Sequence, residues 1–169
     1  MKEELAAAAK KKGRKRGKHK PPHPNRVTGL ACDNGRIYVG YARRDLVGVN
    51  DAVTGKLLAT WEVPAPGRLA VTPTGELLAL SAGKHVVRVD DDGVETIVAD
   101  SLDEPRGIAV DAEGRIYVSN RGALQNVSVF AADGTPVRSI GTRGGRPRVG
   151  KHDVNGMLAE GYQALFEKL

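Results

Sequence analysis

Residues 105–141 read PRGIAVDAEGRIYVSNRGALQNVSVFAADGTPVRSIG, and the alternation in this stretch decides the fold. Runs rich in β-forming residues at 108–111, 115–119, 127–130 and 136–140 are separated by turn residues. The turns Ala112-Glu113-Gly114 and Ala132-Asp133-Gly134 each end on glycine, which accepts φ > 0 at little steric cost. Turn chemistry between β-forming runs is a hairpin signal, so the stretch is expected to form four short antiparallel strands.

The same unit occurs twice upstream. Gly29-Leu-Ala-Cys-Asp33 and Arg68-Leu-Ala-Val-Thr72 precede Gly107-Ile-Ala-Val-Asp111 at a spacing of 39 residues. The first-turn glycine recurs at Gly35, Gly75 and Gly114, and the next strand as Arg36–Val39, Glu76–Ala79 and Arg115–Val118. A third strand is aligned as Val47-Gly-Val49, Val87-Arg-Val89 and Val127-Ser-Val129, and the second turn as Thr54-Gly55, Asp92-Gly93 and Asp133-Gly134. A period of about 40 residues with four strands is the signature of a propeller blade.

The third repeat resembles the NHL-repeat family of β-propellers. Pro105, Gly107, Ile108, Val110, Asp111, Gly114, Ile116, Tyr117, Val118, Val127, Val129 and Phe130 fall on that family's pattern, and Asn120 stands where the family usually has Asp. The resemblance covers residues 25–141, with the middle repeat more divergent. It implies an all-β partial propeller of three four-stranded antiparallel blades and a scaffold role. It does not imply one activity, because function sits in sites grafted on folds.

The chain divides into a basic tail and proline-rich linker (1–24), three blades (25–141), a glycine- and arginine-rich loop (142–156) and an amphipathic helix (157–169). The 169 residues suffice for one domain with a sizeable core. The net charge of +6 resides in the tail: residues 1–20 hold nine basic and two acidic side chains, and the rest holds 17 basic and 18 acidic. The tail has few apolar residues to bury and is expected to contribute little to stability. Its LAAAA core is too short for a signal peptide, and no run approaches a membrane span; a cytoplasmic location is the default expectation. In the last 13 residues Leu158, Tyr162, Leu165, Phe166 and Leu169 recur at helical spacing. This helix is expected to cap the open side of the blades. The single cysteine, Cys32, excludes an internal disulfide and is expected to act as a small buried hydrophobe.

No constellation carries catalysis or a cofactor. Gly145–Lys151 matches the first seven positions of a phosphate-loop pattern. His152 replaces the Ser or Thr hydroxyl, however, and Pro147 removes a backbone donor. His19 and His23 are separated by Pro21 and Pro22, which break any helix that would align them as metal ligands. Asp90-Asp91-Asp92 reads as solvated turn carboxylates, and Asn126-Val-Ser128 as a glycosylation sequon inside a strand.

Meander parity sorts the loops. The tight glycine turns share one face of the blades. The longer second-to-third-strand loops and the connections between blades share the other. That second face carries Arg43, Arg44, Lys84, Arg106, Arg121, Arg143, Arg146, Arg148 and Lys151 against Asp45, Asp100, Asp103, Glu104 and Asp153. Arg43, Arg44, Lys84, Arg106, Asn120, Arg121, Arg146, Arg148 and Lys151 are therefore the candidate binding residues. The chain reads as an interaction scaffold without catalysis, taking a protein or another anionic ligand. Alternatives are RNA or polyanion binding through the tail and this face, and a fragment of a propeller hydrolase or lyase. Three blades do not close a ring, since propellers have about 4–8, so self-association through open blade edges is a further expectation.

Overall fold

The structure, a computed structural model, describes residues 26–145. The strands are β1 (Gly29–Asp33), β2 (Arg36–Tyr41), β3 (Leu46–Asp51), β4 (Leu57–Glu62), β5 (Leu69–Val71), β6 (Leu77–Ser81), β7 (His85–Asp90), β8 (Gly93–Val98), β9 (Pro105–Val110), β10 (Ile116–Asn120), β11 (Val127–Phe130) and β12 (Pro136–Ile140). They form three four-stranded sheets, β1–β4, β5–β8 and β9–β12, in each of which sequential strands are neighbours and pair antiparallel. Ala42–Arg44 adds one 3-10 turn, and there is no α-helix among the described residues. The expected helix at 157–169, the tail and most of the glycine-rich loop lie outside them.

The sheets stack side by side as blades. The first strands β1, β5 and β9 adjoin one another, as do the outer strands β4 and β8. Two apolar seams hold the arc together. Tyr38, Val47 and Val49 of blade one meet Leu69, Leu77, Ala79, Val87 and Val89 of blade two. Leu78, Leu80 and Val86 on the other face of blade two meet Ile116, Val118 and Phe130 of blade three. Each of the Val, Leu, Ile and Phe side chains among them contributes roughly 1.5–3 kcal/mol on burial. Tyr38 stacks on Trp61 in the first seam with ring centroids 5.8 Å apart, and Trp61 Nε1 donates to Asp91 Oδ1 across it at 2.8 Å.

The strand registers correct the third-strand alignment of the middle repeat. Tyr38 pairs with Val49 and Tyr117 with Val129, while Leu78 pairs with Arg88. Val86-Val87-Arg88 is therefore the counterpart of Val47-Gly48-Val49, one residue earlier than the Val-x-Val pattern places it. A one-residue slip exchanges the faces of every side chain in a strand. Arg88 thus points toward blade three, where Glu76 (3.1 Å) and Glu95 (3.7 Å) pair with it.

Cys32 is exposed rather than buried. Its counterpart in blade two, Val71, packs into the first seam. Cys32 has no such cover because no blade precedes blade one among the described residues.

Candidate anion-binding face

The two ends of the blades are built differently. At the tight-turn end, Gly35, Gly55, Gly75, Gly93, Gly114 and Gly134, together with Asn34, take the positive-φ positions, and Asp51, Asp90, Asp111 and Asp133 have local partners. Asp51 Oδ1 accepts from the N–H groups of Val53 and Thr54 and from the Thr54 hydroxyl. Asp90 Oδ1 accepts from Asp92 N and Gly93 N. Asp90, Asp91 and Asp92 are exposed carboxylates at the turn, as expected, and Asp90 and Asp91 also accept hydrogen bonds there. Asp111 receives Arg115 Nε at 2.7 Å and the Tyr117 hydroxyl at 2.9 Å. Partial burial pushes the Asp111 carboxyl up, but hydrogen bonds from Arg115 and Tyr117 and the guanidinium charge outweigh this and bring it down to about 2. Hydrogen bonds from Thr54 and from Thr135 likewise lower Asp51 and Asp133.

At the long-loop end, six non-glycine residues hold positive φ: Asp45, Ala65, Ala82, Ser101, Glu104 and Gln125. Each such residue costs of order 1–3 kcal/mol and persists only where its surroundings over-determine it. Those surroundings are visible here. Asp45 Oδ1 accepts from Ala65 N at 2.7 Å, and Asp103 Oδ2 from Leu124 N at 3.1 Å. A Cβ at Gly122 would overlap the Asp103 carboxylate, so any larger residue there would push that brace aside. Asp45 and Asp103 therefore brace the loops of this end.

Several basic residues are not braced in this way. Arg44, Lys84 and Arg121 are exposed, and their side chains have no hydrogen-bond or ion-pair partner among the described residues. Arg106 reaches Glu104 only at 3.4 Å, with both side chains largely in solvent. Arg106 and Arg121 line one cleft of about 720 Å³ together with Ser119, Asn120, Gln125, Asn126, Val127 and Ile140. No carboxylate lines it.

Three of the sequence-derived candidates, Arg106, Asn120 and Arg121, thus converge. Asn120 serves a different purpose from the arginines. It is 6% exposed, its Nδ2 donates to Asn126 Oδ1 (3.1 Å) and Ser128 Oγ (2.9 Å), and its Oδ1 accepts from Asp103 N (3.0 Å). With its amide engaged at both ends, it positions the loop that presents Arg121. Arg43 and Arg44 sit on the 3-10 turn of blade one and Lys84 on the β6–β7 loop, at the same end but apart from the cleft's lining. Arg146, Arg148 and Lys151 lie outside the described residues. Sequence reasoning missed Ser119, Gln125 and Asn126, whose polar groups the bulge at Ser119/Asn120 and the following loop bring to the cleft.

His85 donates its Nδ1–H to Ala99 O at 2.8 Å, a structural contact. Among the described residues no three His, Cys, Asp or Glu side chains gather where they could hold a metal ion, and no helix is long and apolar enough to cross a membrane.

With this geometry the chain is a β-propeller arc, and solved structures share its architecture. It is similar to the hydrazine synthase of Kuenenia stuttgartiensis (25% identity, TM-score 0.62), covering 80% of this chain and 41% of that one. It is also similar to a chain of a nidogen/laminin complex (20% identity, TM-score 0.58, 69% of this chain and 48% of that one). A third is virginiamycin B lyase from Staphylococcus aureus (16% identity, TM-score 0.55, 69% and 41%). The chain thus spans less than half the length of each. No family profile and no curated protein sequence matches it.

Proposed function

We propose that this arc is an NHL-like, non-catalytic interaction module whose long-loop face binds an anionic group of a partner, in the first instance a carboxylate-rich protein segment. The observation that carries the reading is the cleft in which Arg106 and Arg121 stand over a polar and apolar lining without a carboxylate. A guanidinium presents a planar fork of donors that matches carboxylate and phosphate oxygens. Ser119, Gln125 and Asn126 add neutral hydrogen-bonding groups, and Val127 and Ile140 add an apolar floor. These groups bind and orient; none has an ordinary pKa near neutrality that would suit it to general acid–base chemistry. One similar structure is a nidogen/laminin complex and another a lyase. The fold is thus used in both ways, and the choice rests on the cleft.

The test is titration of the full chain with a fluorescent oligo-glutamate peptide, followed by anisotropy. Binding that Arg106→Ala and Arg121→Ala weaken is the expected result. Equal affinity of the double variant overturns the reading. A single-stranded RNA oligonucleotide is the control ligand. RNA binding that depends on residues 1–20, with a steep loss in salt, would replace the protein-partner reading by the polyanion one that the tail's charge supports.

A further inference from the structure

Every blade has a face toward the preceding blade and a face toward the next, and the strand registers say which residues hold equivalent places. On the next-blade face of blade one, Ala31 and Val49 pair with Tyr38, and Val47 pairs with Gly40. Ala31, Tyr38, Val47 and Val49 pack into the first seam. On the next-blade face of blade three, Ala109 and Val129 pair with Tyr117, and Val127 pairs with Ser119. The four side chains Ala-Tyr-Val-Val are thus repeated residue for residue. Val129 is buried, Tyr117 and Val127 are half-buried and Ala109 is exposed.

The receiving face is repeated as well. Blade two meets blade one with Leu69, Val71, Leu77 and Ala79. Blade one holds Leu30, Cys32, Ile37 and Val39 at those places, by the pairings Leu30 with Val39 and Cys32 with Ile37, which mirror Leu69 with Ala79 and Val71 with Leu77. Leu69 is 6% exposed and Leu30 65%. Among the described residues, the inner strands of the two free faces therefore repeat those that join in the first seam, while Gly48 and Asn50 stand where blade two has Val87 and Val89, and Arg138 and Ile140 where blade one has Ala59 and Trp61.

We propose that they join in the same way between two copies of this chain, blade three of each against blade one of the other, closing a ring of six blades. The occupant of each free face is then the opposite face of a second copy. Both new seams are identical, as a two-fold axis requires, and six blades fall within the range of about 4–8 in which such rings close. Closure also covers an exposed apolar patch that monomeric proteins rarely carry. Arg106 and Arg121 contribute nothing to the matched faces, but Val127 and Ile140 belong both to the free face of blade three and to the cleft's lining.

Size exclusion with light scattering on the full chain tests it. The expected mass is twice 18.0 kDa, falling to the single-chain mass on dilution. Leu30→Asp and Ala109→Glu change exposed positions on opposite free faces, and each is expected to yield the single-chain mass with an unchanged circular dichroism spectrum. Cys32 supplies a second readout. Its reaction with a water-soluble disulfide reagent is expected to be slow in the dimer and several-fold faster in Leu30→Asp. An unaltered chain of 18.0 kDa at every concentration overturns the proposal. So does a dimer that survives both substitutions, or one in which Cys32 reacts as fast as in the variants.

Discussion

The tight-turn end and the long-loop end of the blades solve the same problem, reversing an extended chain, in opposite ways. At the tight-turn end glycine takes six of the positive-φ positions, and Asp51, Asp90, Asp111 and Asp133 bond the turns they belong to. At the long-loop end six non-glycine residues hold positive φ and Asp45 and Asp103 brace the loops, while Arg44, Lys84 and Arg121 carry charge with no local partner. One end has most of its turn carboxylates engaged within the fold. The other keeps cations available in a conformation that costs the backbone energy, and strain of that kind clusters where a site must be held in place. Substitutions at the two ends should therefore separate stability from binding.

The largest effect is expected from removing both cleft arginines. A hydrogen bond to a charged group contributes about 1.5–3 kcal/mol, and about 1.4 kcal/mol is tenfold in affinity. Arg106→Ala with Arg121→Ala should weaken an acidic peptide roughly hundredfold while leaving the melting temperature unchanged. A parallel loss of stability would mean that the arginines hold the fold. The exception at this end is Asn120. Asn120→Ala leaves buried partners unsatisfied, which costs about 1–3 kcal/mol, and urea unfolding should show it.

A smaller effect marks the tight-turn end. Asp111 titrates at about 2 in the folded chain, below its ordinary 3.8. Its contribution is therefore complete above about pH 4 and is lost as pH falls through that interval. Asp111→Asn should lower the melting temperature near neutral pH, flatten its acid dependence and leave peptide affinity unaltered. An unchanged acid profile would show that the Arg115 and Tyr117 contacts do not stabilise the ionised form. Smallest is Lys84→Ala. Lys84 lies at the long-loop end outside the cleft's lining, so it should change affinity by less than about threefold, within the range of exposed charge pairs, and only at low salt.

Much of the fold is legible in the sequence, because the glycine turns and the 39-residue spacing repeat the same geometry. The expected strands at 127–130 and 136–140 coincide with β11 and β12. The third strand of the middle blade is placed correctly, but its register is not legible, and the reason is local. Val86, Val87 and Val89 fit two registers, and a charge at Arg88 disguises a seam-facing position that Glu76 and Glu95 neutralise. Cys32 was unreadable for another reason: its pattern is that of a buried residue, and burial depends on which blade stands beside it. For the cleft, parity places Arg106 and Arg121 on one face, but it cannot say that Asn120 turns inward. That follows from the amide's three hydrogen bonds, which involve partners as far away in sequence as Asp103.

The most direct measurement is a backbone amide NMR titration of the full chain with the oligo-glutamate peptide. The expected result is a set of saturable shifts at Arg106, Ser119, Arg121, Gln125 and Asn126, with Asn34, Thr74, Asp92 and Glu113 at the tight-turn end unmoved. Shifts centred on the tight-turn end, or none at any peptide concentration, would contradict the assignment of binding to the long-loop face.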